Sequence, residues 1–288
     1  MYKLIAIDLD GTLLNSYGEI TDGNREAIKY ALNKNIEVVL ASGRDPQTMK
    51  KISQDLGINN YLIAGNGASI YDIKQERNIY ENFIDKEKAL RIIRMCKENS
   101  IFFNLYTDKG IITESLNFNV KVFNSENNHK ATEKQTNIEI VKDVYEYTKD
   151  NEMNILKIII CDNSKIIFNN IMQKLKNIKG IEVLDVEHMS KKIIKIGIEE
   201  FEIQYYYTEI SSKNVDKWYA IEYLTQILGI KAEEIIAIGD NINDKKMIEK
   251  SAVGIVMKNS ALAAQNIGDF ITEDNNSNGI EKAIYQYI

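Results

Sequence analysis

The stretch Lys3-Leu4-Ile5-Ala6-Ile7-Asp8-Leu9-Asp10-Gly11-Thr12-Leu13-Leu14 constrains this chain more than any other. An apolar run of this length reads as a buried strand. It ends in two acids and a glycine, which points to a site at the C-terminal edge of a sheet. Open α/β sheets bind ligands at that edge. While the chain stays extended, Asp8 and Asp10 project to the same face. Two carboxylates on one face repel unless a cation lies between them or one holds a proton. Mg²⁺, which prefers oxygen ligands, suits that position. The competing reading is an ordinary acidic turn after a strand.

The next segments repeat a strand–helix alternation. Thr21 is placed to cap a helix through Asn24, Ala27, Ile28, Ala31 and Leu32. Ile36–Ala41 reads as a strand that stops at Ser42-Gly43-Arg44. Asp45 and the single proline, Pro46, then open a helix through Met49, Ile52 and Leu56 that ends at Gly57. Tyr61–Ala64 is a third strand, leading into Gly65-Asn66-Gly67. This βαβαβ alternation predicts a parallel sheet with helices on its faces. Gly65-Asn66-Gly67 resembles the start of a dinucleotide fingerprint, but position 70 is Ile70, so a tight turn is the better reading.

From about Phe83 the pattern changes. A helix is expected over Lys86–Asn99, strands at Ile101–Tyr106 and Gly110–Thr113, and a polar stretch over Asn124–Asn137. A strong strand comes next at Leu156–Cys161, then a helix at Lys165–Asn177 and strands at Ile193–Ile198 and Tyr205–Ile210. This reads as an α+β module with an antiparallel sheet, inserted at 83–210 into a parallel-sheet core formed by 1–82 and 211–288. The core pattern resumes with a helix over Val215–Leu228 that ends at Gly229. Glu234–Asp240 is again an apolar strand ending in an acid, and Asp244 opens another helix. Ala252–Met257 and Phe270–Thr272 are short strands, and a terminal helix starts near Asn278.

Composition removes several function classes. With 288 residues and 44% hydrophobic content the chain can bury a sizeable core. No apolar run reaches the roughly 18 residues that a membrane span needs, and the opening segment is neither a signal nor a transit peptide. The two cysteines, Cys96 and Cys161, lack metal or disulfide spacing, so a reducing cytoplasm is the expected location. A net charge of −6 argues against a general nucleic-acid binder. The two histidines, His129 and His188, lie apart from each other and from the acids, against imidazole catalysis or His-ligated zinc.

Strand C-termini in a parallel sheet share one edge, so Asp8, Ser42 and Asp240 converge there. Acids at two strand ends with a hydroxyl at a third suggest a metal site beside an anion site. At this point the chain resembles the haloacid dehalogenase (HAD) superfamily of phosphohydrolases, in its Cof-type (IIB) branch with an inserted α/β cap. Asp8-Leu9-Asp10-Gly11-Thr12-Leu13 matches the motif DxDGT, and Ala41-Ser42-Gly43-Arg44 matches the second motif. Lys217, in Asn214-Val215-Asp216-Lys217, stands where the third motif places its lysine. Gly239-Asp240-Asn241-Ile242-Asn243-Asp244 matches GDxxND. The fold so implied is a HAD-like doubly wound parallel-sheet core with an inserted α+β cap.

The resemblance assigns roles. Asp8 would attack phosphorus and form an aspartyl-phosphate. Asp10 would protonate the leaving oxygen and then deprotonate the attacking water. Mg²⁺ would be held by the Asp8 carboxylate, the Asp10 carbonyl and Asp240. Ser42, with Gly43, would contact phosphoryl oxygens, and Lys217 would neutralise charge on Asp8 and the phosphoryl group. Asn243 would contact phosphate. Asp244 would reach the metal indirectly or orient Lys217. Arg44 either contacts substrate or pairs with acids at the sheet edge. The family often has glycine after the lysine, whereas this chain has Trp218.

The implied function is Mg²⁺-dependent hydrolysis of small phosphorylated metabolites such as sugar phosphates, without nucleic-acid or membrane partners. The cap would close over the site and select the substrate. Lys157 and Lys192 are its candidate contacts for a second phosphate, against the usual reading of solvated lysines. Tyr205-Tyr206-Tyr207 reads as alternation between core and surface. The alternatives are a sugar phosphomutase, which shares the core, and a non-catalytic phospho-metabolite-binding protein, which the intact DxD disfavours. The sequence does not specify an oligomeric state.

Overall fold

The computed structural model describes residues 1–128, 135–184, 189–196 and 199–288. His129 and His188 therefore lie outside the described residues, as do Gly197 and Ile198 at the end of one expected strand. The chain opens with β1 (Leu4–Ile7), α1 (Asp22–Asn33), β2 (Glu37–Ala41), α2 (Pro46–Leu56), β3 (Tyr61–Ala64), β4 (Ser69–Asp72) and β5 (Arg77–Glu81). It continues with α3 (Lys86–Glu98), β6 (Phe102–Thr107), β7 (Gly110–Thr113), α4 (Phe118–Asn127), β8 (Ile138–Ile140), α5 (Val144–Asp150) and β9 (Ile155–Asp162). Next come α6 (Lys165–Leu175), β10 (Ile181–Val183), β11 (Ser190–Ile196), β12 (Glu199–Ser212), α7 (Lys217–Leu228) and β13 (Ile235–Gly239). The last elements are α8 (Lys245–Lys250), β14 (Val253–Val256), α9 (Leu262–Gln265), β15 (Phe270–Ile271) and α10 (Gly279–Tyr287). They form two compact units, Met1–Glu81 with Val215–Ile288, and Asn82–Asn214.

The first unit is an eight-stranded sheet in the order β15-β14-β13-β1-β2-β3-β4-β5. The strands from β15 to β3 are parallel, as the βαβ alternation predicts. β1 is buried on both faces, which is why its sequence is an unbroken apolar run. Ile5 and Ile7 face a core shared with Ala27 and Ile28 of α1, Met49 of α2 and Ile280 of α10. Leu4 and Ala6 face Trp218, Ile221 and Leu224 of α7 and Met247 of α8 on the other side. Each fully buried Leu or Ile side chain contributes about 1.5–3 kcal/mol. The sheet is therefore doubly wound. Ile7 pairs with Leu40 and with Ile238, so β1, β2 and β13 end at nearly the same level.

Some local expectations are corrected. β4 and β5 add an antiparallel hairpin beyond β3, where no strand was expected. The turn at Gly65-Asn66-Gly67 has three successive left-handed residues and reverses the chain at once. Thr21 occupies the N-cap position of α1, but its side chain makes no capping bond and its buried hydroxyl has no partner among the described residues. Asp45 does cap α2, accepting from the Thr48 N–H at 2.9 Å. Asp244 stands at the N-cap position of α8, as expected, but its side chain makes no capping bond there, and it also ends a short 3-10 turn, Ile242–Asp244.

The second unit is a mainly antiparallel sheet in the order β10-β12-β9-β6-β7-β8, with β11 paired to β12. β7 and β8 pair in parallel, a departure from the all-antiparallel expectation. β12 is a single strand of 14 residues where a shorter one was expected. Its first half pairs with β11 up to Tyr205, and its second half pairs with β9 from Tyr206. α3 and α6 cover one face through Ile92, Ile93, Phe168 and Leu175. α4 begins before the stretch read as polar and runs into its first residues, where no helix is expected. The residues it buries are Asn119, Val120 and Ser125, so it carries no apolar stripe that periodicity can detect. Tyr206 stacks on Phe168 on the α6 face, while Tyr205 and Tyr207 pack on the opposite face, as strand alternation requires. Lys157 is buried against Glu209 at 2.9 Å rather than solvated. Among the described residues no helix is long and apolar enough to cross a membrane.

Candidate active site

The level ends of β1, β2 and β13 bring Asp8, Ser42 and Asp240 to one edge of the first unit's sheet. Asp8 is held there by its backbone, whose N–H donates to the Ile238 carbonyl at 3.0 Å. At Gly11 the chain turns with φ +87°, and a Cβ at this position would run into the Asp240 carboxylate. Only glycine combines that backbone with that approach.

Lys217 is the centre of the site. It is the first residue of α7, and its side chain is completely buried. Its Nζ donates to Asp8 Oδ1 at 2.5 Å and to Asp244 Oδ1 at 2.6 Å. The other oxygen of Asp244, Oδ2, accepts from the backbone N–H groups of Asp240 at 3.0 Å and Asn241 at 3.1 Å. Both Asp244 oxygens are thus engaged in orienting Lys217 and the β13 loop, which is why this carboxylate does not cap α8. Thr12 Oγ1 donates to Asp240 Oδ1 at 3.1 Å.

The start of α7 is fixed in turn. Asp216 caps the helix by accepting from the Tyr219 N–H at 2.8 Å, and it pairs with Lys246 at 2.7 Å. Gly67 lies against the Asp216 backbone with φ +101°, where a Cβ would overlap the carbonyl. Gly67→Ala is therefore expected to push the N-terminus of α7, and Lys217 with it, away from Asp8. The overpacking and the strained backbone together cost about 1–3 kcal/mol. Thermal denaturation should show a lower Tm, and turnover should fall with it. An unchanged Tm would contradict the close packing at Gly67.

Charge is concentrated here. Carboxylate oxygens of Asp8, Asp240 and Asp244 lie within 4.8 Å of one another, and Lys217 sits among them. Burial first, and then the charge of Asp244, push the Asp8 carboxyl well above its usual range, with Lys217 opposing. Burial and Asp244 push Asp240 up to about 6, with the Thr12 hydroxyl opposing. Burial by itself would lower the Lys217 ammonium. Asp244 and Asp8 outweigh that effect and hold it above the ordinary lysine range. Lys217 therefore stays cationic, yet three carboxylates around one ammonium leave excess negative charge. The hard oxygen donors of Asp8 and Asp240, in a cluster short of positive charge, fit a divalent cation such as Mg²⁺.

The remaining motif residues form a second, more open group. Arg44 forks onto Asp10, with Nε donating to Oδ2 at 2.9 Å and Nη2 to Oδ1 at 2.5 Å. Of the two expectations for Arg44, the structure contains the pairing with an acid. Ser42 is buried, and its Oγ accepts from the Arg44 N–H at 3.3 Å. Gly43 lies between them at the end of β2. Asn243 Nδ2 donates to Asn66 Oδ1 at 3.2 Å, and the Asn66 N–H donates to the Ser42 carbonyl at 2.8 Å. Sequence reasoning passed over Asn66, whose sole signal was a turn. It also passed over Asn259, whose Nδ2 donates to the Gly11 carbonyl at 2.8 Å and which no motif marks.

A model of the haloacid dehalogenase-like hydrolases matches residues 5–284 of the chain. The chain belongs to this family. Phosphatase YwpJ of Bacillus subtilis strain 168 is 29% identical over 294 residues, spanning 96% of this chain and 97% of its own. The 5-amino-6-(5-phospho-D-ribitylamino)uracil phosphatase YwtE of the same strain is 31% identical over 301 residues, spanning 99% and 98%. A solved haloacid dehalogenase-like hydrolase from B. subtilis superposes with a TM-score of 0.80 at 25% identity, over 99% of this chain and 100% of that one. As a HAD-like, Cof-type hydrolase with phosphatases as its relatives, the chain is a phosphatase enzyme.

Proposed function

We propose that this HAD phosphatase hydrolyses small phosphorylated metabolites, with Mg²⁺ bound, through an aspartyl-phosphate on Asp8. The observation that carries the reading is the buried contact of Asp8 with Lys217, 2.5 Å apart, inside a cluster of two further carboxylates. Burial of an aspartate against an ammonium supports the role of a nucleophile over that of a surface acid. Lys217 holds one Asp8 oxygen, leaving the other to attack phosphorus. It also neutralises the charge that builds between carboxylate and phosphoryl group. Asp244 positions Lys217. Ser42, Gly43 and Asn243 are proposed to bind the phosphoryl oxygens, together with Lys217.

Asp10 is the proposed acid and base. It donates a proton to the departing oxygen and later takes one from the water that attacks the aspartyl-phosphate. Asp8, Asp240 and the backbone carbonyl of Asp10 are the proposed Mg²⁺ ligands. When bound, the cation supplies positive charge that offsets repulsion between the nucleophile and a phosphate dianion. The inserted unit, Asn82–Asn214, is proposed as the cap that selects the substrate. YwtE carries the name of a phosphorylated ribitylamino-uracil, which supports a small phosphorylated metabolite as the substrate class.

Phosphate release from a panel of phosphorylated metabolites, with and without Mg²⁺, tests the reading. Release that EDTA leaves intact would remove the metal. Turnover that returns phosphate to a hexose phosphate instead of releasing it would replace hydrolysis by mutase chemistry. The raised carboxyl of Asp240 gives a separate readout. Its proton competes with the cation below about pH 6. The upward shift in Tm caused by Mg²⁺ should therefore be large at pH 7.5, shrink as pH falls through 6, and be much reduced in Asp240→Asn. A Mg²⁺ effect that is equal at pH 5 and 7.5 would count against Asp240 as a ligand.

A further inference from the structure

The fork between Arg44 and Asp10 joins two stretches of fixed backbone. On one side, Gly11 is turned at φ +87° against Asp240. On the other, the Arg44 N–H donates to Ser42 Oγ at 3.3 Å and its carbonyl accepts from Gly65 at 3.0 Å. The Asp10 side chain between them is 58% exposed. An aspartate so exposed ordinarily samples several rotamers. Two parallel N–H···O bonds, one to each carboxylate oxygen, hold it in one direction instead. A planar guanidinium presents two parallel donors to the carboxyl group, which fixes its direction as well as its contact. The fork therefore sets where the Asp10 oxygens point.

We propose that Arg44 is the positioning residue for Asp10. It holds the Asp10 side chain in the one direction in which it serves the water that attacks the aspartyl-phosphate. The proposal rests on the reading above, in which Asp8 carries the phosphoryl group and Asp10 serves the water. In that step the water oxygen bonds to phosphorus and the bond from phosphorus to the Asp8 oxygen breaks. Its electron pair returns to the Asp8 carboxylate, one water proton passes to Asp10, and phosphate departs. In the first half-reaction Asp10 gives a proton to the leaving oxygen, a step that a leaving group needing no proton bypasses. With such a leaving group, loss of Arg44 falls on hydrolysis of the aspartyl-phosphate, and it falls through Asp10.

The test uses p-nitrophenyl phosphate labelled in its phosphoryl group, with Mg²⁺ present. Its leaving group departs without a proton from the enzyme, so phosphoenzyme forms even when Asp10 is impaired. Wild type, Arg44→Gln, Arg44→Lys and Asp10→Asn are loaded, chased with unlabelled ester and quenched in acid. Decay of the labelled phosphoenzyme is expected to slow about 100-fold or more in Asp10→Asn and about tenfold in Arg44→Gln. Arg44→Lys, which keeps the charge but not the fork, should fall between wild type and Arg44→Gln. The double variant Asp10→Asn, Arg44→Gln should decay no more slowly than Asp10→Asn alone. If Asp10→Asn is slow while Arg44→Gln decays like wild type with a raised KM, Arg44 binds substrate and the proposal is wrong. If no variant traps label, or Asp10→Asn decays like wild type, the underlying reading fails and takes the proposal with it.

Discussion

Asp8→Asn should abolish phosphate release, by about 10³-fold or more, and should leave no labelled phosphoenzyme after an acid quench. The amide has the shape of the carboxylate, and its oxygen can still accept from Lys217. It cannot act as the nucleophile. The fold should not suffer. Asp8 is buried among like charges, and its carboxyl is pushed upward by burial and Asp244, so the ionised form is costly where it stands. A neutral isostere removes part of that cost. The expected result is a dead enzyme with a Tm equal to or above that of the wild type, which separates lost chemistry from lost structure. p-Nitrophenyl phosphate turnover within tenfold of wild type would exclude Asp8 as the nucleophile.

Lys217→Met should be damaging in both respects. The ammonium is completely buried and bonds Asp8 and Asp244 at 2.5 and 2.6 Å. Methionine fills much of the same volume but leaves those carboxylates facing each other without a cation. Removing one member of a buried ionic group costs about 3–5 kcal/mol, because the remaining charge stays buried and uncompensated. Turnover should drop about 10²–10³-fold, the range seen when one preorganised donor to a developing charge is lost. The loss of stability has a definite sign with pH. A carboxyl whose folded pKa lies above its unfolded value destabilises the protein progressively as pH rises from the unfolded value through the folded one. Burial and Asp244 already set Asp8 that way, and removing Lys217 removes the influence that opposes them. The gap in Tm between wild type and Lys217→Met should therefore be widest at neutral pH and narrow towards pH 4. A gap that does not change with pH would mean that the ion pair contributes little.

Much of the first unit was legible because its strands are buried on both faces. Burial of that kind forces unbroken apolar runs, and in a parallel sheet it forces helices between them. Leu4–Ile7, residues 38–41 of β2 and Ile235–Gly239 all share that pattern. α4 was not legible, because it buries polar side chains, and β12 was read as too short, because one strand changes partners at Tyr205 without any break in its pattern. The hairpin of β4 and β5 was missed because the left-handed residues before it signal a turn and carry no information about the strand pairing beyond it.

The parallel core, the motif residues at the ends of its strands and the family to which they point can all be read from the order of the residues. Spacing along a strand fixes which carboxylates share a face. It cannot fix which of them meets a cation. The tertiary structure decided that Asp8 is buried against Lys217 while Asp10, two positions on, is exposed and forked by Arg44. It also decided that Asp244 spends both oxygens on holding Lys217 and the β13 loop. The reason is that Lys217 reaches Asp8 only through the packing of α7 on the sheet, and Arg44 reaches Asp10 only because β1 and β2 end level. The opening pair of acids is symmetric as sequence and becomes asymmetric through contacts with residues far along the chain.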